Sequence, residues 1–324
     1  MKAIWRSLSG LLFSICSMQS ISAQRIDNTS SFRQLGQESY FRFHYDNDYF
    51  TKTDKYYSQG ITLEYVHPSL RKSFLTKLLW KPYKTKPTVG LTFNLFGYTP
   101  STIESDKILY GDRPYNANIS LKVFSVQIDP VKQQQISAAF SAGVMGKAAL
   151  GYDIQTNIHR WLKNPLPHGW EHQIKNDVIF NYQLNYEKRL ITKSNYFLLN
   201  TTTEARLGTL HTKLNGGLNF MAGRFNNRFE TKTKGKQKKE FYFFGQGRVN
   251  LVGYDASLQG GLFNRKSPYT IQASDISRIN FQADAGIIVN LGKLYLSYTQ
   301  SYLTKEFKSG TYHRWGGVSV GFSL

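Results

Sequence analysis

One short stretch concentrates oxygen-bearing side chains: Asp46-Asn47-Asp48-Tyr49-Phe50, then Thr53-Asp54-Lys55-Tyr56-Tyr57-Ser58-Gln59-Gly60. Carboxylate, amide and hydroxyl oxygens at this spacing suit a hard cation such as Ca²⁺. The same residue types also build Asx turns, and the EF-hand spacing is absent. His159, in an expected loop, reads by itself as a solvated histidine, although a neutral imidazole can in general take a proton from water near pH 7. Ester hydrolysis needs an activated water or nucleophile and a stabiliser for the tetrahedral oxyanion. A histidine base beside a polarising cation supplies both without a covalent intermediate. A hydroxyl activated by a histidine is the alternative nucleophile. There is no G-x-S-x-G elbow, and Cys16 is the single cysteine, so neither a serine-hydrolase turn nor a cysteine framework explains the chain.

The elements that must position these groups read as strands. Phe281, Ala283, Ala285, Ile287, Val289 and Leu291 fall on one face of a stretch whose other face carries Gln282, Asp284, Gly286 and Asn290. At the C-terminus Val318, Val320, Phe322 and Leu324 alternate with Gly317, Ser319, Gly321 and Ser323. Period two means strands. Several runs are well over the ~5–6 residues of ordinary soluble strands and match the ~9–11 or more of spanning ones. Aromatic clusters near run ends, such as Tyr40/Phe41/Phe43/Tyr45 and Phe241 to Phe244, suit interfacial girdles. Twelve strands are expected, at about 38–46, 57–67, 87–98, 114–129, 134–150, 175–190, 195–210, 211–224, 240–254, 279–291, 293–305 and 312–324. The fold class is therefore all-β: an antiparallel transmembrane barrel of outer-membrane type, with an even strand number that brings both termini to the periplasmic side. Long loops, including 68–86, 151–174 and 226–240, are expected at one end and short turns at the other.

Composition agrees. The chain of 324 residues has 22 Phe and 21 Tyr, which excludes a disordered chain. Lys2 and Arg6, the apolar run from Leu8 to Met18 and Ser20-Ile21-Ser22-Ala23 read as a signal peptide over 1–23, leaving 24–324 as one barrel domain. The formal charge of +20 peaks in the run 232–240. No nucleic-acid motif accompanies it; it reads as a solvated loop or as a surface for anionic lipid headgroups. His44 is expected to face the lumen as a hydrogen-bond partner, and His67, His211 and His313 to lie at the interfaces. His168 and His172, flanking Trp170, lack an adjacent further ligand for a metal. Asp112 and Arg113 read as an internal charge pair.

Asn47-Asp48 followed by Thr53-Asp54-x-x-Tyr57-Ser58-x-Gly60 resembles the N-terminal signature of the lipid A 3′-O-deacylase family of outer-membrane enzymes, LpxR. Gly111-Asp112-Arg113-Pro114-Tyr115, the Gly151…Gln155…His159 element, the segment Gly169-Trp170 to Asn176 and Glu306-Phe307 resemble further family motifs in order, so the likeness spans the mature chain. It implies a twelve-stranded barrel in the outer membrane of a Gram-negative bacterium; a monomer is expected, with the oligomeric state left open. It also implies a Ca²⁺-dependent esterase that removes the 3′-linked acyloxyacyl group of lipid A, with lipopolysaccharide as partner and no nucleic acid. Carried onto this sequence, Asp48 is a calcium ligand and Asn47 polar support or an oxyanion donor. Ser58 is a hydroxyl at the site, Gly60 lets backbone approach, His159 is the general base, and Lys107 is the nearest match to a family loop lysine. The family carboxylate shortly after the histidine has no counterpart, because 162–166 contains none; Glu171 is the substitute considered. The water route is favoured over a Ser58 nucleophile because the family tolerates Thr there. The competing readings are another outer-membrane hydrolase, such as a phospholipase, and a non-enzymatic barrel or porin. A porin needs a wider barrel, since about sixteen strands leave an open channel.

Overall fold

A computed structural model describes residues 28–51, 55–193, 196–229 and 239–324. The expected signal peptide and most of the basic run 232–240 lie outside the described residues. Twelve strands are present: β1 (Tyr40–Asn47), β2 (Tyr56–Val66), β3 (Thr88–Thr99), β4 (Asn116–Asp129), β5 (Gln134–Met145), β6 (Asp177–Lys193), β7 (Phe197–Gly208), β8 (His211–Arg224), β9 (Glu240–Asp255), β10 (Ile279–Asn290), β11 (Leu294–Leu303) and β12 (His313–Ser323). Each pairs antiparallel with its sequence neighbours, and β12 closes on β1, so no edge is left exposed.

The wall follows the alternation of the sequence. On β1, Arg42, His44 and Asp46 are buried toward the lumen while Phe41 and Phe43 are exposed outward. On β10, Gln282 and Asp284 are buried and Phe281 is exposed. The lumen is filled with paired charges: Arg42 to Glu64 at 2.8 Å, Glu204 to Arg206 at 3.1 Å and to Lys213 at 3.4 Å, and Arg248 to Asp284 at 3.4 Å. His44 bridges Ser319 (2.7 Å) and Asp46 (2.6 Å) inside it, as expected.

A feature with no forerunner in the sequence pattern occupies one end of the lumen. Residues 28–35 fold inside the barrel: Phe32 stacks on Phe244 with ring centroids 4.6 Å apart, and both belong to an apolar cluster with Tyr40, Phe124, Leu198, Met221 and Tyr295. The Ser31 amide donates to Glu187 (2.9 Å), the Tyr242 hydroxyl donates to the Phe32 carbonyl (2.8 Å), and Asn290 donates to the Leu35 carbonyl (3.0 Å). Buried polar backbone must be satisfied, and here the lumen side chains do so. With this plug and the ion-pair network in place, the interior is packed protein.

The plug marks the end at which β1 begins and β12 finishes, which is the periplasmic end. Here the structure departs from the expected sidedness. The connections 67–87 and 225–239 join strands at this end, although both were expected among the long loops of the other. At the far end lie 48–55, 100–115, 146–176, 256–278 and 304–312. The segment 151–174, expected as a polar loop, contains an α-helix, α1 (Gly151–Leu162). β5 stops at Met145 because Gly146 (φ 85°) and Leu150 (φ 59°) turn the chain out of the strand.

Candidate active site

Asn47 is the last residue of β1 and Asp48 opens the 3₁₀ turn that follows, Asp48–Thr51. The Asn47 amide donates to the Tyr45 hydroxyl (2.9 Å) and to the Ser58 carbonyl (2.8 Å), and its oxygen accepts from the Tyr49 amide (2.7 Å). Asn47 thus holds β1, its outgoing turn and β2 together. It shares a face with Tyr45, opposite Asp46, so it projects from the outer wall rather than into the lumen. The buried Asp48 carboxylate accepts from the Lys55 amide (2.9 Å); the singled-out Thr53 and Asp54 lie outside the described residues.

Ser58 is the extra residue of a β-bulge between Tyr57 and Gln59, a device that re-aims side chains. Its buried hydroxyl meets the Thr99 hydroxyl at 2.7 Å. Tyr57, before it, turns inward and packs on Tyr98 and Trp315 with centroids 5.5 and 5.2 Å away. Gly60 serves that packing: a Cβ there would lie 2.1 Å from the Tyr57 hydroxyl and 3.3 Å from an Asp46 carboxylate oxygen. Gly60→Ala is accordingly expected to destabilise the barrel by about 1–3 kcal/mol, the usual range for overpacking. A lowered urea midpoint for loss of heat-modifiable gel mobility checks this.

The register carries the site sideways along the outer wall. Asn47 pairs with Gln59, Gln59 with Gly97, and Gly97 with Ala117. Trp170 covers the Gly97 and Ala117 end of this row. Its ring lies 4.0 Å from where a Gly97 Cβ would stand, and it belongs to an apolar cluster with Tyr115, Ala117 and Ala149. The Trp170 indole donates to Gln155 of α1 at 2.7 Å. Gly151 is needed there, because a Cβ would sit 2.5 Å from Ala117 Cβ and 2.6 Å from the Trp170 ring. Gly151, Gln155 and His159 recur every four residues and so lie along one side of α1. The helix is thereby clamped by its first two turns against the outer wall, with His159 one turn further on. His159 is half-buried, and its Nδ1 donates to the Pro165 carbonyl at 2.6 Å. That bond fixes the tautomer and leaves Nε2 with the basic lone pair. Trp161 is 82 % exposed and Leu162 51 % exposed at the C-terminal end of α1.

The structure brings Asn47, Asp48, Ser58 and Gly60 together at the β1–β2 end and sets α1 beside them through the shared row. It joins His159 to none of the four by a hydrogen bond: among the described residues its bond goes to Pro165. Lys107 is exposed in the loop 100–115 and lines a narrow crevice with Arg113, Tyr115, His172 and Tyr269. A wider cleft of about 900 Å³ lies next to it, lined by Asp106, Lys147, Tyr152, His168, Lys175 and Asn264 among others. Asn47, Asp48, Ser58 and His159 do not line that cleft.

Several neighbouring readings change. Arg113 pairs with Glu306 and donates to Ser257 (2.7 Å), with its guanidinium 3.8 Å over the Tyr98 ring. Asp112 instead accepts from the Ser101 amide (2.9 Å), so the expected Asp112–Arg113 brace is an Arg113–Glu306 brace. Burial lowers the Arg113 pKa from its ordinary value. His313 and His211 are buried in the lumen rather than interfacial: His313 lies edge-on to Tyr56 at 5.4 Å, and His211 is 3.5 Å from Asp255. His67 keeps its place at a strand end, stacked on Tyr65. His172 accepts no metal partner among the described residues and contacts the Asp106 carbonyl and the exposed Glu171. Thr99 and Gly97 complete the site and are absent from the sequence reading, and Gln59 enters it only as part of the oxygen-rich run. Only strand register reveals them, although the bulge-prone Tyr-Ser-Gln-Gly run hints that alternation breaks there.

A closed antiparallel barrel of twelve strands with a polar lumen and outward-facing aromatic residues defines an outer-membrane protein; its candidate site lies where Asn47 projects from the wall, at the end away from the plug. The family model described as "Outer membrane protein LpxR" matches residues 10–324, and the chain belongs to that family. Among solved structures, LpxR from Salmonella typhimurium is similar with a TM-score of 0.73 at 17 % identity, covering 88 % of this chain and 100 % of that one. The translocator domain of the autotransporter NalP from Neisseria meningitidis has a TM-score of 0.45 at 12 % identity, covering 90 % of each chain. Comparison with curated protein sequences gives no match.

Proposed function

We propose that the protein is a Ca²⁺-dependent esterase that removes the 3′-linked acyloxyacyl group of lipid A in the outer leaflet. The observation that carries this reading is Asn47 projecting from the outer wall, beside a helix that packs on that wall through Gly151 and ends in the exposed apolar Trp161 and Leu162. A lipid held in the leaflet reaches such a site from the side, without passing the packed lumen. That packing also weighs against the porin reading.

Acyl release divides among the residues by chemistry. His159 Nε2 takes a proton from water as the oxygen attacks the ester carbonyl carbon, and returns it to the departing sugar alkoxide. The Pro165 carbonyl holds the ring and disperses the positive charge that develops on it. Asn47 offers an amide N–H to the oxyanion, released from one of its present partners. Ser58, held by Thr99, orients the water or the ester through its hydroxyl. Lys107, with Lys147 and Lys175 of the adjoining cleft, suits the phosphates of the glucosamine backbone.

Among the described residues there is no group of three or more His, Cys, Asp or Glu that could hold a metal. A cation at Asp48 would draw much of its shell from neutral oxygens such as the Ser58 and Gln59 side chains, main-chain carbonyls and water, which Ca²⁺ accepts and Zn²⁺ does not favour. When bound, Ca²⁺ supplies positive charge that polarises the ester carbonyl.

Mass spectrometry of lipid A from cells expressing the protein tests the reaction. Loss of one 3′ acyloxyacyl mass is the expected result. Release of fatty acid from phospholipid with lipid A untouched would move the substrate to the glycerophospholipids.

A further inference from the structure

The connection 67–87 does not hang below the barrel. It folds back against the outside of the wall at the periplasmic end. Leu79, buried, packs on Val123 and Ala138 with Leu75, Leu91, Phe140, Tyr182 and Leu184 around it. These strand residues face outward: their neighbours Lys122 and Ser137 turn in to meet Asn28 and Thr29 of the plug. The Trp80 amide donates to the Tyr182 hydroxyl (2.9 Å), and Gln127 of β4 donates to the Tyr83 and Thr85 carbonyls (both 2.7 Å). Two 3₁₀ turns, Pro68–Lys72 and Phe74–Leu78, shape the segment, the second capped by the Ser73 hydroxyl.

Seated this way, the segment shows two kinds of free surface. Phe74 is 75 % exposed, Trp80 52 % and Leu78 48 %. Between and beyond them stand the exposed Lys72, Lys77, Lys81, Lys84 and Lys86, and 67–88 holds no Asp or Glu. None of these lysines pairs with a carboxylate among the described residues; Lys81 donates to the Thr76 carbonyl, within the segment. Exposed aromatic and leucine side chains rooted on a lipid-facing wall belong in acyl chains, with Trp at the headgroup level. Lysines interleaved with them then lie among headgroups, where each adds to the attraction for anionic lipid.

We infer that residues 67–87 form an interfacial anchor that gathers anionic phospholipid headgroups, such as phosphatidylglycerol, from the periplasmic leaflet. The positive charge of the protein is thereby partly a lipid-binding device at the end opposite the candidate site. This inference rests on the barrel and its sidedness alone and is independent of the esterase reading.

The test uses the full barrel reconstituted in phosphatidylcholine vesicles containing a minor fraction of phosphatidylglycerol. Either the phosphatidylglycerol or an equal fraction of the phosphatidylcholine carries brominated chains, and the Trp80 emission is taken as the difference between wild type and Trp80→Phe. Enrichment of phosphatidylglycerol around the segment is expected to make its bromines quench Trp80 about threefold more than those on phosphatidylcholine, an excess set by charge near the surface. Replacing Lys72, Lys77, Lys81, Lys84 and Lys86 by Gln should remove the excess while the barrel keeps its heat-modifiable mobility. Equal quenching by the two brominated lipids around the wild-type protein overturns the proposal whatever the variant does. An excess that survives the five substitutions also overturns it, because the lysines would then not be its source.

Discussion

His159→Ala should lower release of the 3′ acyloxyacyl group by about 10²–10⁴-fold, the span that a positioned general base contributes. The expectation follows from where the residue sits. His159 is not part of the wall, and its side chain makes one hydrogen bond, to the Pro165 carbonyl just beyond α1. Losing that bond costs roughly 1 kcal/mol, too little to undo twelve paired strands. α1 itself is held by Gly151 against Ala117 and by the Gln155–Trp170 bond, both two turns or one turn away. A catalytic role therefore predicts an inactive, folded barrel. Lipid A mass spectra of cells carrying the variant, together with its heat-modifiable mobility, separate the two effects. Activity within tenfold of wild type in a folded His159→Ala protein would remove His159 from the mechanism and leave Ser58 or another group to activate the water.

The strand pattern was legible because a barrel wall with a polar lumen writes its inside and outside directly into alternate residues. Phe281 and Gln282, or Val318 and Ser319, need no tertiary information to be assigned to opposite faces. Three features escaped for physical reasons. The plug at 28–35 has no period: its stability comes from partners such as Glu187, Tyr242 and Asn290, far away in sequence. α1 does carry Ile154, Ile158, Trp161 and Leu162 at helical spacing; the signal is one short segment between two strands, where the period-two pattern on either side dominates. The sidedness of 67–87 and 225–239 depends on strand parity, and the expectation of short periplasmic turns overrode the count.

The candidate site was legible in part for the same reason. Asn47, Asp48, Ser58 and Gly60 lie close together in the chain, and a hairpin keeps them close in space. His159 comes from a different element, and its approach to that cluster depends on Gly97 and Ala117, small residues that let Trp170 and α1 lie on the wall. Smallness at two positions on neighbouring strands carries meaning only once the register pairs them. The split of roles at Arg113 is similar: Asp112 is its neighbour in sequence, yet Glu306 is its partner in space.

Asp48→Asn carries the second large effect. The substitution keeps the size of the side chain and an oxygen that can still accept from the Lys55 amide, so the loop after β1 should retain its path. What it removes is the negative charge. Among the described residues Asp48 belongs to no group of three or more acidic or histidine side chains that could hold a metal; its charge is then a large part of what attracts a cation, and neutral oxygens cannot replace it. A divalent ion polarising an ester carbonyl is worth several kcal/mol in the transition state, and each 1.36 kcal/mol is tenfold in rate. Asp48→Asn should accordingly reduce acyl release by about 10²-fold or more. Chelation of Ca²⁺ by EGTA should do the same to the wild type, and added Ca²⁺ should restore the wild type but not the variant. A readout free of turnover accompanies it: Tb³⁺ substituting for Ca²⁺ should show luminescence sensitised by nearby tyrosines such as Tyr45 and Tyr49, lost in Asp48→Asn and competed away by Ca²⁺. Wild-type activity undiminished in EGTA, with no Tb³⁺ signal that depends on Asp48, would leave the ester carbonyl to be polarised by Asn47 and backbone amides alone. Asp48 would then be a residue whose work is the hydrogen bond to Lys55.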